Sequence, residues 1–127
     1  MPLKDCDEKL IEQVLAAAIE IHRELGPELL ESVYEHALMI ELKAAGIPAQ
    51  RQVEIPARYR GHVLDLGFRA DIIVADCLLL EMKSVSEFSD LHLAQVITYL
   101  KLLHFKRGFL LNFNTKILKD GIKRVSI

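Results

Sequence analysis

The stretch from Asp71 to Lys83 limits the fold more than any other: Asp-Ile-Ile-Val-Ala-Asp-Cys-Leu-Leu-Leu-Glu-Met-Lys. Two apolar runs, Ile72-Ile73-Val74 and Leu78-Leu79-Leu80, flank Ala75-Asp76-Cys77. Runs this short, ended by a polar break, read as buried strands joined by a tight turn. Paired antiparallel, the start of the first strand lies beside the end of the second, so Asp71 meets Glu81. Strand side chains alternate faces, which puts Glu81 and Lys83 on one side and Met82 on the other. The expectation is two carboxylates and one ammonium gathered at the open end of a hairpin, in apolar surroundings. That donor set suits a hard divalent cation, which takes oxygen ligands. The same residues also fit an ordinary ion pair at a solvated strand end, so the rest of the chain has to decide between the two.

Upstream, Asp5 to Leu25 has the helical spacing Ile11, Val14, Leu15, Ala18, Ile21, His22, Leu25. Asp5 or Asp7 can cap its start, and Gly26-Pro27 stops it. His22 falls on the apolar face, where a structural histidine is expected rather than a ligand. A second helix is expected to begin after Pro27 and run to about Ala45, with an inner stripe of Leu30, Val33, Tyr34, Ala37, Leu38 and Leu42. Glu31 lies at the edge of that stripe, three residues before Tyr34 and seven before Leu38, and so looks inward.

Arg51 to Tyr59 alternates like a strand, with Pro56 suggesting an edge. Arg60-Gly61-His62 reads as a hairpin turn. Val63 to Val74 returns with Gly67 as a bulge, making a three-stranded antiparallel meander with Leu78 to Lys83. Ser89 or Asp90 caps a third helix reaching Leu103. Its apolar face is Leu93, Val96, Ile97, Leu100 and Leu103, while His92, Gln95 and Tyr99 share another side. A buried strand at Gly108 to Phe113, a turn at Leu118 to Gly121 and a strand at Lys123 to Ile127 complete the order α-α-β-β-β-α-β-β. The strand, helix, strand unit permits a parallel pair in a mixed α/β sheet flanked by helices.

Length and composition set the outer bounds. The 127 residues read as one domain, 1–127, with room for a real core. An apolar content of 51% calls for a well-filled interior or a buried subunit contact, which leaves room for a homo-oligomer. No apolar run approaches the roughly 20 residues of a membrane span, and no signal-peptide pattern opens the chain. Cys6 and Cys77 lie in unlike contexts, so free thiols in a reducing cytoplasm are expected. The net charge of −2 hides an asymmetry: from Lys101 onward seven basic residues face one acid. A basic end of this kind can face phosphates or simply decorate a solvated surface.

Asp71-x9-Glu81-x-Lys83, the helical Glu31 and Gln95-x3-Tyr99 together resemble the PD-(D/E)XK nuclease superfamily. The Gln-x3-Tyr helix is similar to that of its branch containing the exonuclease domains of recombination helicases. Within the superfamily the chain resembles the small GxxExxY family. Leu25-Gly26-Pro27-Glu28-Leu29-Leu30-Glu31-Ser32-Val33-Tyr34-Glu35 is close to the naming motif. His92-Leu93-Ala94-Gln95, Tyr99-Leu100-Lys101-Leu102, Leu111-Asn112-Phe113-Asn114 and Lys119-Asp120-Gly121-Ile122-Lys123-Arg124 resemble the family's C-terminal half. The likeness runs from about Leu10 to Ile127. One position departs: Glu28 stands where the motif has its first Gly. Glu28 favours helix more than Gly does, so a small change at the helix start is expected.

The resemblance implies a restriction-endonuclease-like core and a Mg²⁺-dependent phosphodiesterase, with Mn²⁺ as substitute, acting on DNA and less so on RNA. Asp71 and Glu81 would hold the metal with the Met82 carbonyl, and Glu31 a second metal or a metal-bound water. Lys83 would act on the attacking water and the phosphate. Gln95 and Tyr99 would place the phosphate or hold Lys83, with His92 beside them. The competing expectation is a catalytically silent module that keeps the fold to bind nucleic acid or protein, since fold does not fix function.

Overall fold

The computed structural model describes Pro2–Ile127. Helix α1 (Glu8–Leu25) starts later than Asp5, because the Asp7 side chain accepts from Leu10 N–H and so fixes the N-cap. Gly26 ends it at φ 77° and ψ 179°, a backbone that essentially only glycine adopts. Ile11, Val14, Ala18, Ile21 and His22 are buried along one face. His22 is the expected structural histidine: its Nε2 lies 3.1 Å from the Phe113 carbonyl.

Helix α2 (Glu31–Ala44) begins at Glu31 rather than directly after Pro27. Residues 26–30 form a strap held by Tyr34, whose Oη donates to the Gly26 carbonyl and accepts from Leu29 N–H. Glu28 lies in this strap at φ 69°, a left-handed backbone, and so does not extend the helix. Leu30 and Val33 are exposed, correcting the expected stripe, which runs instead through Tyr34, Glu35, Leu38 and Leu42.

The strands are β1 (Ala49–Glu54), β2 (Ala57–Tyr59), β3 (His62–Leu64), β4 (Arg69–Val74), β5 (Leu78–Lys83), β6 (Arg107–Asn112) and β7 (Ile122–Ser126). Helix α3 (Asp90–Leu103) lies between β5 and β6. The two long strands expected at 51–59 and 63–74 are each broken. Pro56 lacks the N–H that would carry the ladder onward, and Gly67, at φ 67°, belongs to a loop rather than a bulge. The pieces between the breaks pair with each other as a separate two-stranded ribbon, β2–β3.

The main sheet has the order β1-β4-β5-β6-β7. The β1–β4 and β4–β5 pairs are antiparallel, and α3 provides the crossover that makes β5–β6 parallel. This mixed sheet flanked by helices is the α/β core expected of a PD-(D/E)XK nuclease. Ile72, Val74, Leu78, Leu80 and Met82 pack with α1 and α2 on one face. Ile73, Leu79 and Leu110 pack with α3 on the other. Among the described residues no helix is long and apolar enough to cross a membrane.

The cysteines correct the sequence reading. Cys6, just before α1, and Cys77, in the β4–β5 turn, form a disulfide with Cα atoms 5.5 Å apart. A separation of 71 residues hid the contact from the sequence. The pairing also removes the cysteine argument for a reducing compartment.

Candidate active site

The β4–β5 ladder runs from Val74–Leu78 to Ile72–Leu80 and stops there. Beyond it, side chains take over from backbone carbonyls. Glu81 Oε2 accepts from Asp71 N–H at 2.7 Å, and Asp71 Oδ2 accepts from Met82 N–H at 2.8 Å. Each carboxylate is thus anchored to the opposite strand by one oxygen, and the two are brought together as the hairpin register requires. By alternation from Leu79, Glu81 and Lys83 belong to the face that carries α3. Lys83 is half-buried.

Burial acts on both acids. Glu81 is 3% exposed, and its pKa is pushed from 4.5 to about 8, first by loss of water and then by the Asp71 charge. Asp71 is also raised, first by burial, with Glu35 and Glu31 adding repulsion. The Met82 N–H and the Lys83 ammonium pull the Asp71 pKa down without overcoming burial. A site holding its carboxylates against their preferred charge state is short of positive charge.

Glu35 was missed in the sequence. It is 3% exposed on α2, and its Oε1 accepts from Arg51 Nε at 3.1 Å and Gln52 Nε2 at 2.8 Å. Gln52 Nε2 also lies 3.5 Å from Asp71 Oδ1, so one amide links the α2 acid to the hairpin acid. Gln52 sits at φ 53° in mid-strand, which turns its side chain out of the regular alternation. A signal for Glu35 did exist: residues 35, 38 and 42 follow the i, i+3, i+7 spacing of the buried side. Glu31, expected to look inward, is exposed at the first position of α2, although its charge still reaches Asp71.

On α3, Gln95 Nε2 donates to Tyr99 Oη at 3.2 Å, and Tyr99 Oη accepts from Arg69 N–H at 3.4 Å. Tyr99 therefore holds the start of β4, two residues before Asp71. Among the described residues neither side chain hydrogen-bonds Asp71, Glu81 or Lys83. With Phe68, Leu91 and His92 they line a hollow of about 490 Å³. The His92 ring is engaged elsewhere: its Nδ1 accepts from Ser89 N–H at 3.1 Å while Ser89 Oγ accepts from His92 N–H, a closed cap on α3.

The donor set is all oxygen at Asp71 and Glu81. Among the described residues no three His, Cys, Asp or Glu side chains converge closely enough to hold an ion by themselves. Two carboxylates fit a hard divalent cation, which takes oxygen ligands. They do not fit zinc, which prefers nitrogen and sulfur.

Comparison with curated proteins and with solved structures gives no match. A profile of the PD-(D/E)XK nuclease superfamily, whose members generally use divalent metals, matches residues 8–125. That span takes in all three helices, the hairpin with Asp71, Glu81 and Lys83, and all but the end of β7. From the first residue of α1 to the last strand of the sheet, this chain belongs to the PD-(D/E)XK nuclease superfamily.

Proposed function

We infer that the chain, as one domain over 1–127, is a metal-dependent nuclease of the GxxExxY branch that hydrolyses phosphodiester bonds in DNA in preference to RNA. The observation that carries this reading is the reciprocal anchoring of Asp71 and Glu81, which leaves two charge-starved carboxylates side by side next to Lys83. Asp71 and Glu81 would hold Mg²⁺, or Mn²⁺ in its place, with the Met82 carbonyl. Glu31, exposed at the start of α2, would take a second ion or a bound water. A divalent ion there supplies a polarised phosphoryl oxygen and a more acidic water. Lys83 orients the attacking water and offsets charge developing on the phosphate. Glu35 and Gln52 fix Asp71 from the α2 side, and Tyr99, supported by Gln95, fixes the β4 start from the α3 side; all four are positioning residues.

The test is a cleavage assay on single- and double-stranded DNA and RNA with Mg²⁺ or Mn²⁺. Wild type should cut DNA only with metal, and Lys83→Ala should lower kcat by about 10²–10³-fold while folding normally. Wild type without metal-dependent cleavage of any of the four substrates would favour the silent binding module.

A further inference from the structure

The active site is acidic, and a nucleic-acid substrate is a polyanion. Asp71, Glu81, Glu35 and Glu31 surround the expected position of the scissile phosphate, with Lys83 as the cation beside them. Substrate must therefore be held by positive charge placed outside the carboxylate cluster.

The chain has seven arginines, and most are neutralised within the fold. Arg23 pairs with Glu20, Arg51 with Glu35, Arg69 with Glu54, Arg107 with Asp5 and Glu8, and Arg124 with Glu8. The remaining two, Arg58 and Arg60, join no ion pair among the described residues. Both are exposed on the β2–β3 ribbon, whose residues 57–64 contain no acid.

The ribbon is set where such charge is useful. It is inserted between Glu54, the end of β1, and Arg69, the start of β4, which pair with each other. Asp71 is two residues into β4, so the ribbon springs from the same end of the sheet as the carboxylates. The Tyr59–His62 pair closes around Arg60 at φ 49° and Gly61 at φ 80°. Two consecutive left-handed residues make the tight turn that suits a twisted ribbon. Tyr59 is 59% exposed, and the Arg60 guanidinium stands 5.3 Å from the centre of its ring. That contact holds the cation at the tip without neutralising it.

We propose that the β2–β3 ribbon is the substrate-binding arm of this nuclease, entering the groove of duplex DNA beside the scissile bond and presenting Arg58 and Arg60 to it. A two-stranded ribbon fits the major groove of B-form DNA, about 12 Å wide. The major groove of A-form RNA is too narrow to admit it. The arm thus favours DNA by shape and charge rather than through the catalytic residues. The proposal rests on the nuclease reading for its substrate but predicts binding independently of turnover.

The experiment measures binding in EDTA, by anisotropy of short labelled duplex DNA, single-stranded DNA and double-stranded RNA. Arg58→Gln/Arg60→Gln is expected to weaken duplex binding by about tenfold or more at moderate salt and to lower the log–log salt slope by about 2. Loss for the other two nucleic acids should be smaller, and the melting temperature should stay at the wild-type value. Arg58→Lys/Arg60→Lys, which keeps the charge, should recover most of the affinity. Unchanged duplex affinity and slope in the Gln variant would overturn the proposal. So would a larger loss for single-stranded DNA or for RNA than for the duplex. Wild type that binds through the ribbon but never cuts would refute the nuclease reading alone, whereas Gln-variant protein that binds and cuts normally would refute the arm alone.

Discussion

The two ends of the β4–β5 hairpin are built on opposite principles. At the turn, Ala75 and Asp76 take left-handed conformations, and their surroundings hold them. Cys77 is bonded to Cys6, Asp76 pairs with Lys4, and the Lys4 backbone bridges His104 and Lys106 on the segment after α3. There the acid Asp76 has an opposite charge beside it and the thiol a covalent partner. At the open end the strands part, like charges are set together, and burial raises both carboxylates. Binding sites demand this second arrangement: carboxylates already satisfied would gain little from a cation. The difference teaches that the fixed end bears the cost of the other, since a hairpin frayed by repulsion needs its opposite end fastened.

The largest expected effect comes from unfastening the turn. The disulfide spans 71 residues, and by loop entropy its loss lowers stability by about 4 kcal/mol. Reduction, or Cys77→Ser, should lower the melting temperature, read by calorimetry with and without reductant. Metal-induced stabilisation should persist in the reduced protein that remains folded. A reductant-insensitive melting temperature would show that the turn does not depend on the bond.

The next effect belongs to the open end and has a definite sign. In the unfolded chain Glu81 releases its proton near 4.5, whereas in the metal-free fold it does so near about 8. Between those values the folded state holds more proton, so raising the pH favours unfolding. The stabilising contribution is complete below 4.5 and is lost as pH rises to about 8, at up to about 1.4 kcal/mol per pH unit. Glu81→Gln should flatten this dependence and raise stability in EDTA near neutral pH, while weakening Mn²⁺ binding in calorimetry. A variant with the wild-type pH profile would mean that Glu81 is not strained.

What was legible in the sequence divides along the same line. Local rules placed the hairpin and the Asp71–Glu81 register and narrowed each cap to two neighbouring residues, of which the fold uses Asp7 and Ser89. The helical spacing signalled that Glu35 faces inward, but its partners Arg51 and Gln52 lay out of local reach, and Gln52 reaches it through a left-handed backbone that no local pattern announces. The β2–β3 ribbon was half visible: its turn was read correctly, but the breaks at Pro56 and Gly67 were absorbed into longer strands. Tyr34 was read as core; its second role, holding the strap at 26–29, depends on an atom at the far end of the ring.

The smallest effect tests whether the open end also carries backbone strain. The strap lies against it, with Ser84 Oγ donating to the Leu29 carbonyl at 3.3 Å. Glu28 is held at φ 69°, where the GxxExxY motif has Gly. A left-handed backbone costs a residue with a Cβ about 1–2 kcal/mol, while Gly gives up about 0.5–1 kcal/mol more chain entropy on folding. The difference favours Gly, so Glu28→Gly should raise stability by up to about 1 kcal/mol. Removal of a negative charge beside Glu31 could mimic this gain, and Glu28→Ala separates the two causes. Alanine removes the charge and keeps the Cβ, so it should leave stability unchanged. Denaturant melts of the three proteins in EDTA decide it. A gain in Gly alone places the strain in the backbone, and equal gains in both would assign it to charge and extend the repulsive cluster to the strap.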